Sequence, residues 1–444
     1  MERMMHLTID HSYSRSPVVS GEGSLADTEA TERLESNVRL YCRTFPTVFV
    51  TAKDSTMRDE DGRNFLDFFC GAGALNYGHN NDYIKSRLLR YLSEDGITHG
   101  LDMYTAAKRD FLERFQRVIL SPRGLTHRTQ FCGPTGADAV EAALKIARKH
   151  TGRDGIVSFM GGFHGMSRGA LEVSGRAASE FGSAATTGTT TFLPYEYGPH
   201  GAFDSVGLLE RMLTDPSAGA QPPAAVIVES VQMEGGVYPA SAAWLSALRD
   251  VTARHGVLLI LDEIQTGCGR TGRFFGFERS GIVPDLVTVS KSISGYGLPL
   301  SLLLLLPAID DDWTPGEHTG TFRANQLALV TASAALDLWT ADSFRATTES
   351  LAWTLAREAN DLPHRHPSLR TRQVGAVLGI DFGHKYASRA AAVQRRCFDD
   401  GLIIELSGRE DEVVKVMPAL TITSAELERG LRILRAAIDL TFAG

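Results

Sequence analysis

The chain has 444 residues, of which 43% are hydrophobic and 22% charged, and its formal net charge is -8. This size and composition indicate a globular protein of two domains, and the negative charge argues against nucleic acid or an anionic membrane as the main partner. The five cysteines stand singly, without the spacing of a disulfide framework or a zinc site. We therefore predict no metal centre and a reducing, cytoplasmic location.

The N-terminus is not predicted to be a targeting signal, and the most apolar segment is not predicted to span a membrane. Residues 1–33 contain acidic residues early and no apolar core of signal-peptide length, so we expect a loosely ordered tail. Residues 298–307 form the most apolar stretch but are far too short to cross a bilayer. We predict that this stretch is a buried strand.

The pattern along the rest of the chain predicts two domains of α/β class. Short strands joined by the turn "DEDG" dominate residues 34–95, whereas helices alternate with short, solidly apolar strands over residues 96–335. Strands without polar alternation are buried on both faces, which indicates a large mixed, mainly parallel sheet covered by helices. Residues 336–444 add a long helix, two strand-like segments and a last helix. The two chain ends, 34–95 and 336–444, are predicted to build a smaller α+β domain together.

A glycine-rich turn precedes one amphipathic helix of the large domain. The segment "QFCGPTGADAVEAALKIARKH" runs from a short strand into this helix. Backbone N–H groups of Gly136 and Ala137 would point at an anion at the positive end of the helix. The segment could also be an ordinary turn that binds no ligand. The interpretation as an anion site is supported only by other residues predicted in the same sheet.

Two of the apolar runs lead into ionisable residues, one into Asp262 and the next into Lys291. Ligands of open α/β sheets bind beyond the carboxyl ends of the strands. Taken singly, Asp262 also fits a helix cap and Lys291 a surface residue. Together they suit pyridoxal phosphate, whose aldehyde forms a Schiff base with a lysine and whose ring nitrogen needs an anionic partner.

Several motifs in order then resemble one family. They are "GFHG", "VIVESVQMEGG", "LDEIQTGCGRTG", "SKSISGYGLP" and "HTGTF". Their order and spacing are similar to those of class III, fold-type I aminotransferases, from about residue 34 to the C-terminus. The segments "LESNVRLYCRTFPTVF", "FFCGAGALNYGHNN", "DGITHGLDM" and "PGEHTGTF" resemble the diaminobutyrate–2-oxoglutarate branch, which opens ectoine synthesis. The resemblance implies pyridoxal phosphate as cofactor and a homodimer or higher homo-oligomer with shared active sites.

The resemblance also implies a role for each residue around the ring. Lys291 would be the Schiff-base lysine and the base that moves the proton, and Asp262 would pair with the ring nitrogen. Gln265 would hydrogen-bond the 3-hydroxyl group. Phe163 would stack on one face of the ring and Val231 on the other, although both also suit core packing.

Further cofactor contacts are implied around the phosphate and beneath the ring. Gly136 and Ala137 would hold the phosphate, and Thr321 would reach the phosphate of the neighbouring subunit. A hydroxyl in a loop usually just bonds the backbone, which is the alternative for Thr321. His164 and Glu229 are included among the cofactor contacts, although a lone histidine is more often structural.

Substrate selection is predicted from a charge pair of related ω-aminotransferases. In them a glutamate of the "E-x-V-Q" strand pairs with an arginine near the C-terminus, and the pair opens to receive a carboxylate. Glu229 is assigned to the glutamate, and Lys415 stands where the arginine is expected. Lysine lacks the planar fork that binds a carboxylate through two hydrogen bonds. Arg409 is therefore a second candidate.

The predicted reaction moves the amino group of L-glutamate to the terminal aldehyde of L-aspartate 4-semialdehyde, giving L-2,4-diaminobutyrate and 2-oxoglutarate in two half-reactions. Diaminobutyrate feeds ectoine, siderophores or peptide antibiotics, and the sequence leaves these open. One alternative is another class III ω-aminotransferase that uses ornithine, lysine or 4-aminobutyrate. Others are an aminomutase or racemase with the same cofactor, and a catalytically silent protein that only binds a partner.

Overall fold

The computed structural model describes residues 25–175, 188–219 and 221–443. Of the tail predicted for residues 1–33, residues 1–24 lie outside the described residues, and the end of it forms part of helix α1 (Leu25–Leu34). Over the described ranges, no helix combines the length and the apolar character needed to cross a bilayer.

The elements follow one another as mixed helices and strands. The α-helices are α1 (Leu25–Leu34), α2 (Tyr41–Thr44), α3 (Cys70–Gly73), α4 (Asp82–Ser93), α5 (Ala106–Phe115), α6 (Gly136–Thr151), α7 (Arg168–Glu172), α8 (Ser205–Thr214), α9 (Ala242–Arg254), α10 (Pro307–Asp310), α11 (Gln326–Leu338), α12 (Asp342–Arg365), α13 (Ala387–Asp399) and α14 (Ser424–Ala443). Shorter helical turns are Gln116–Leu120, Ser121–Arg123, Gly276–Ser280, Lys291–Ser294 and His384–Tyr386.

The strands are short throughout. They are β1 (Phe49–Lys53), β2 (Thr56–Asp59), β3 (Asn64–Asp67), β4 (Arg128–Phe131), β5 (Ile156–Phe159), β6 (Thr190–Leu193), β7 (Tyr197–Gly198), β8 (Gly201–Ala202), β9 (Ala225–Glu229), β10 (Val231–Gln232), β11 (Tyr238–Pro239), β12 (Leu258–Asp262), β13 (Leu286–Val289), β14 (Leu302–Leu305), β15 (Arg370–Val374), β16 (Val377–Asp381), β17 (Leu402–Ile403), β18 (Glu405–Ser407) and β19 (Val413–Val416).

The large domain is built on a seven-stranded sheet in the order β4-β14-β13-β12-β9-β5-β6. Strands β13, β12, β9, β5 and β6 run parallel, whereas β14 is antiparallel to both β13 and β4. Leu259 and Leu261 of β12 face one apolar core, and Leu258 and Ile260 face another on the opposite side. Burial on both faces explains the solid apolar runs. The buried strand predicted within residues 298–307 is confirmed as β14.

The smaller domain joins both chain ends through two four-stranded sheets, β1-β2-β3-β17 and β15-β16-β19-β18. Strand β3 from the N-terminal part pairs in parallel with β17 from the C-terminal part. Thr423 and Glu426 exchange hydrogen bonds at the start of α14 and so form a capping box. The predicted α/β fold class is confirmed, with a mixed, mainly parallel large sheet and a smaller α+β domain. The boundaries at residues 34, 96 and 336 stay a prediction.

The loop that follows β12 ties the two domains together. Arg270 of this loop is fully buried and donates hydrogen bonds to the carbonyls of Ala376 and Pro418 and to Oδ1 of Asn76. Gly375, in the turn between β15 and β16, packs directly on the backbone of Thr271 and adopts a φ of 53°. The small domain is thereby held against the carboxyl edge of the large sheet.

Replacing Gly375 with alanine is expected to destabilise the protein through this contact. An added Cβ would lie 2.2 Å from the carbonyl carbon of Thr271, and the left-handed backbone adds strain. Gly124→Ala is the matched control, because Gly124 has a φ of 65° and no heavy atom within 4 Å of the added Cβ. Both variants should lose about 1–2 kcal/mol from the backbone term.

Only Gly375→Ala should lose a further amount, about 1–3 kcal/mol, from overpacking. The measurement is the urea midpoint of each variant against the parent protein. Equal losses in the two variants would contradict a tight contact between Gly375 and Thr271.

Candidate active site

Two neighbouring strands of the large sheet bring the predicted carboxylate and amine together. Strand β12 ends at Asp262, and Lys291 follows β13 after one residue, so both lie at the carboxyl edge of the sheet. Lys291 has a φ of 54°, in the left-handed region. Asp262 and Lys291 line the same cavity, which has a volume of about 150 Å³.

Asp262 is held from two sides by hydrogen-bond donors. Its Oδ2 lies 2.7 Å from Nδ1 of His164, and its Oδ1 accepts hydrogen bonds of 3.0 Å from Ile264 N and Thr288 Oγ1. Burial disfavours protonation of His164, but the bond to Asp262 outweighs it, and the pKa of His164 is raised. The pair therefore favours a protonated imidazole at His164, next to the carboxylate of Asp262.

Lys291 is half-buried, and its amine lies near the negative charge of Glu234 and the positive charge of Lys415. Burial lowers the pKa of Lys291, and the nearby Glu234 opposes this effect without cancelling it. A lowered pKa leaves more of the lysine in the neutral form, which is the form that acts as nucleophile and as base.

The far end of the cavity is the N-terminus of helix α6. Thr135 precedes the helix and donates from N and Oγ1 to Oδ2 of Asp138, at 2.9 Å each. Gly136 and Ala137 line the cavity at the first turn. A Cβ on Gly136 would lie 2.9 Å from Cδ1 of Ile264, so a larger residue here would require the Ile264 side chain to shift. The exposed N–H groups and the helix dipole suit a phosphate.

One polar atom in the cavity lacks a partner, and its position tests whether pyridoxal phosphate fits. Nε2 of Gln265 donates to Ala72 O and Glu234 Oε1, at 2.9 Å each. Within the described part of the chain, Oε1 of Gln265 is buried without a hydrogen-bond partner. The cavity thus offers an amine to an aldehyde, an anion to a ring nitrogen, an acceptor to a hydroxyl and a helix end to a phosphate. These residues fit pyridoxal phosphate.

Most predicted cofactor contacts lie around this one cavity. The lining includes Gly136, Ala137, Phe163, His164, Glu229, Asp262, Gln265 and Lys291. Val231 lies instead in a small buried apolar cluster with Met233 and Met417. Thr321 lines a separate cleft of about 330 Å³ with His318 and Asp138.

The predicted pairing of Glu229 with Lys415 is wrong. Oε1 of Glu229 accepts a hydrogen bond of 2.9 Å from Phe163 N, and Oε2 accepts one of 3.1 Å from Met233 N. Glu229 is the last residue of β9 and stays within the sheet beneath Phe163. Its carboxylate is therefore occupied by backbone N–H groups of its own domain.

Lys415 pairs instead with two carboxylates that the sequence did not single out. Its Nζ lies 2.7 Å from Oε1 of Glu234 and 2.9 Å from Oε2 of Glu405. Glu234 reaches it from the turn after β10, and Glu405 lies directly opposite Lys415 in the antiparallel pair of β18 and β19. Burial opposes ionisation of Glu234, but Lys415 outweighs it and lowers the pKa of Glu234. Glu234 was recognisable only as the acid of "MEGG" after the strand.

Arg409, the second residue predicted to bind a substrate carboxylate, lies away from the cavity. Its guanidinium group is next to the backbone of Gly161 and Gly198. An adjoining chamber of about 610 Å³ shares Phe163, Glu234 and Lys291 with the cavity. Of the described residues, those lining the cavity and this chamber do not include Arg409.

Residues 41–438 match the family model described as class-III aminotransferase. The diaminobutyrate–2-oxoglutarate transaminase of Nocardia farcinica is 51% identical over 424 residues, covering 94% of this chain and 96% of that protein. The enzyme of the same name from Streptomyces avermitilis is 51% identical over 416 residues, covering 93% and 98%. The fold is similar to that of ornithine aminotransferase from Toxoplasma gondii, with a TM-score of 0.81, 24% identity and coverage of 96% and 97%.

Buried carboxyls near the sheet edge make stability depend on pH. Burial raises the pKa of Glu263 to about 7, although Thr266 Oγ1, Gly276 N and Phe277 N donate to it. The folded protein therefore holds this proton more tightly than the unfolded chain, whose carboxyl has an ordinary pKa of 4.5. The stabilisation is complete below about pH 4.5 and is lost as the pH rises through 7, a change of roughly 3 kcal/mol.

Glu263→Gln is expected to remove this dependence. Between pH 5 and pH 8, the variant should lose roughly 3 kcal/mol less unfolding free energy than the parent protein, as measured by urea denaturation at each pH. Glu349→Gln, which removes an exposed carboxyl, is the control and should follow the parent. A parallel loss in parent and Glu263→Gln would show that Glu263 ionises normally.

Proposed function

This chain belongs to the class III aminotransferases and is a pyridoxal-phosphate-dependent transaminase, and on this premise we propose that it transfers the amino group of L-glutamate to L-aspartate 4-semialdehyde. The amine goes to the terminal aldehyde and gives L-2,4-diaminobutyrate and 2-oxoglutarate. Two relatives of 51% identity are diaminobutyrate–2-oxoglutarate transaminases, which supports this choice of substrates. The observation that carries the chemistry is the single cavity shared by Lys291, Asp262 and Gln265.

The residues of the cavity divide the binding of the cofactor among them. Asp262, fixed by His164, would pair with the ring nitrogen, and Gln265 Oε1 would accept from the ring hydroxyl. Gly136 and Ala137 would bind the phosphate through their N–H groups. When bound, pyridoxal phosphate supplies an acceptor for the electrons released from the carbon that carries the amine.

Lys291 would carry both the attachment and the proton transfer. Its Nζ would hold the cofactor through the aldehyde group, and when the amine of the substrate takes its place, Nζ would be a free amine beside the substrate. Because burial lowers its pKa, Nζ would be able to take the proton from the substrate carbon that carries the amine and pass it to the former aldehyde carbon. The order is ping-pong, since glutamate leaves as 2-oxoglutarate before the aldehyde enters.

The Glu234–Lys415 pair would manage the carboxylates of the two substrates. Lys415 is fully buried, so it needs a counter-charge whenever no substrate is present. Glu234 supplies one and lies on a turn, and by moving aside it would free Lys415 Nζ for a carboxylate of glutamate. A single ammonium then replaces the two-pronged contact of an arginine.

We infer a cytoplasmic homodimer whose active sites are shared. Thr321 lies outside the cavity of its own chain, next to Phe322, which is 67% exposed. Met103 and Tyr104 are also exposed, at 58% and 102%. Such apolar exposure suits an interface between copies, across which Thr321 would reach the partner's phosphate.

The substrate proposal is tested by identifying the product. Purified holoenzyme receives L-glutamate with L-aspartate 4-semialdehyde, and the amino acid formed is identified by mass spectrometry against authentic 2,4-diaminobutyrate. Formation of one diaminobutyrate per 2-oxoglutarate supports the proposal. Turnover only with the aldehydes derived from ornithine, lysine or 4-aminobutyrate would reassign the substrate within the family, and a product without 2-oxoglutarate would indicate an aminomutase or racemase.

Lys291→Ala should lose the visible absorption of lysine-bound cofactor and nearly all turnover. Loss of positioned proton transfer alone is expected to lower kcat by roughly 10²–10⁴-fold. The control is Lys85→Ala, which removes an exposed lysine on α4. Both variants are assayed for glutamate-dependent turnover and thermal stability, and near-normal activity in Lys291→Ala would contradict the assignment.

A further inference from the structure

The chamber that adjoins the cavity holds more negative charge than Lys415 requires. Lys415 is fully buried, and Glu234 and Glu405 both lie within ion-pair distance of its Nζ. One carboxylate is enough to neutralise one buried ammonium. The second is retained at the wall of a chamber that also contains Lys291 and opens on the cofactor cavity.

Of the two carboxylates, Glu405 accepts fewer and longer hydrogen bonds than Glu234. Glu234 Oε1 accepts from Lys415 at 2.7 Å and from Gln265 at 2.9 Å. Glu405 Oε1 accepts only a long bond of 3.4 Å from the hydroxyl of Tyr41. Its Oε2 lies 2.9 Å from Lys415 Nζ and, counting only the residues that the structure covers, has no further hydrogen-bond donor. A buried, under-bonded carboxylate favours a ligand that donates hydrogen bonds and carries positive charge.

Glu405 and Lys415 also form a matched pair of charges on adjacent strands. They lie directly opposite each other in β18 and β19; Glu405 lines the chamber, and the fully buried Lys415 places its Nζ 2.9 Å from Glu405 Oε2. A zwitterionic amino-acid head carries an ammonium and a carboxylate on one carbon. Such a head complements the pair, with its carboxylate on Lys415 and its ammonium on Glu405.

We propose that Glu405 is a specificity-determining residue, which binds the α-ammonium of a diamino acid while the terminal amine reacts at Lys291. This inference rests on the proposed function and adds to it the group that recognises the unreacted amine. 2,4-Diaminobutyrate has such an ammonium, whereas 4-aminobutyrate has the same carbon chain and reacting amine without it. Glu405 therefore separates the two donors by charge and not by length.

The burial of Glu405 agrees with this role. Burial raises the pKa of Glu405, and Lys415 opposes the effect. An arriving ammonium adds a second positive partner, which favours the ionised carboxylate and strengthens the contact. The Tyr41 hydroxyl, whose pKa is raised by burial, stays protonated and can keep orienting the carboxylate.

Glu405→Gln tests the proposal in the reverse direction, with 2-oxoglutarate as acceptor and either 2,4-diaminobutyrate or 4-aminobutyrate as donor. The preference for diaminobutyrate, as a ratio of kcat/KM values, should fall by roughly 10- to 100-fold, because glutamine lacks the charge that attracts the ammonium and keeps only a weaker, neutral acceptor. The change should lie mainly in KM for diaminobutyrate. KM for glutamate, which reacts through its only amine, should not rise.

Two controls distinguish a loss of substrate recognition from a loss of folding and from a general effect of removing negative charge. Glutamine preserves the size of the side chain, and Lys415 retains Glu234 as counter-charge, so Glu405→Gln should melt near the parent temperature. Asp411→Asn removes another negative charge from the chamber wall at a backbone φ of 59°, which asparagine tolerates. It should change both donors equally.

The possible outcomes distinguish the role of Glu405 from the proposed function of the enzyme. If the parent enzyme prefers diaminobutyrate and Glu405→Gln keeps the same preference, the role of Glu405 is overturned and the proposed function stands. If the parent enzyme uses both donors equally, the role of Glu405 is overturned, and if it does not use diaminobutyrate as a donor at all, the proposed function is overturned as well. A selective rise in KM for diaminobutyrate in Glu405→Gln alone supports both.

Discussion

The hydrogen bond between Asp262 and His164 fixes the anion around which the site is arranged. In a fully buried position an isolated carboxylate would take up a proton, because burial penalises its charged form. His164 at 2.7 Å, with the donors Ile264 N and Thr288 Oγ1, compensates for the loss of water around this carboxylate and keeps it in place. Thr288 belongs to β13, the strand that leads to Lys291, so the same strand pairing sets both the anion and the amine.

The two domains contribute different parts of the reaction. Lys291, Asp262, Gln265 and the start of α6 come from the large domain and surround the cofactor cavity. Glu405 and its partner Lys415 come from the small domain, and the chamber that Glu405 lines adjoins that cavity. Fully buried Arg270 holds the domains in this relation. In the proposed reaction the large sheet therefore performs the chemistry, and the strands of the small domain choose what reacts.

Much of the fold and of the cofactor cavity could be predicted from the sequence, because these features depend on local patterns. Apolar runs marked the buried strands, and the residues after them marked the carboxyl edge. The position of antiparallel β14 between β13 and β4 could not be read, since strand order depends on contacts between distant segments. The same holds for Glu405, which meets Lys415 through the register of β18 and β19, and for Glu234, which a turn carries away from Glu229.

The left-handed backbone of Lys291 sets the stability of the fold against the role proposed for its side chain. A side chain other than glycine at a φ of 54° costs the folded state about 1–2 kcal/mol, while glycine or asparagine fits there with little strain. In the proposed mechanism, the amine of Lys291 is what this cost is spent on. Replacing Lys291 with glycine or asparagine would then relieve the backbone and stabilise the fold, while removing the amine that the proposed reaction needs.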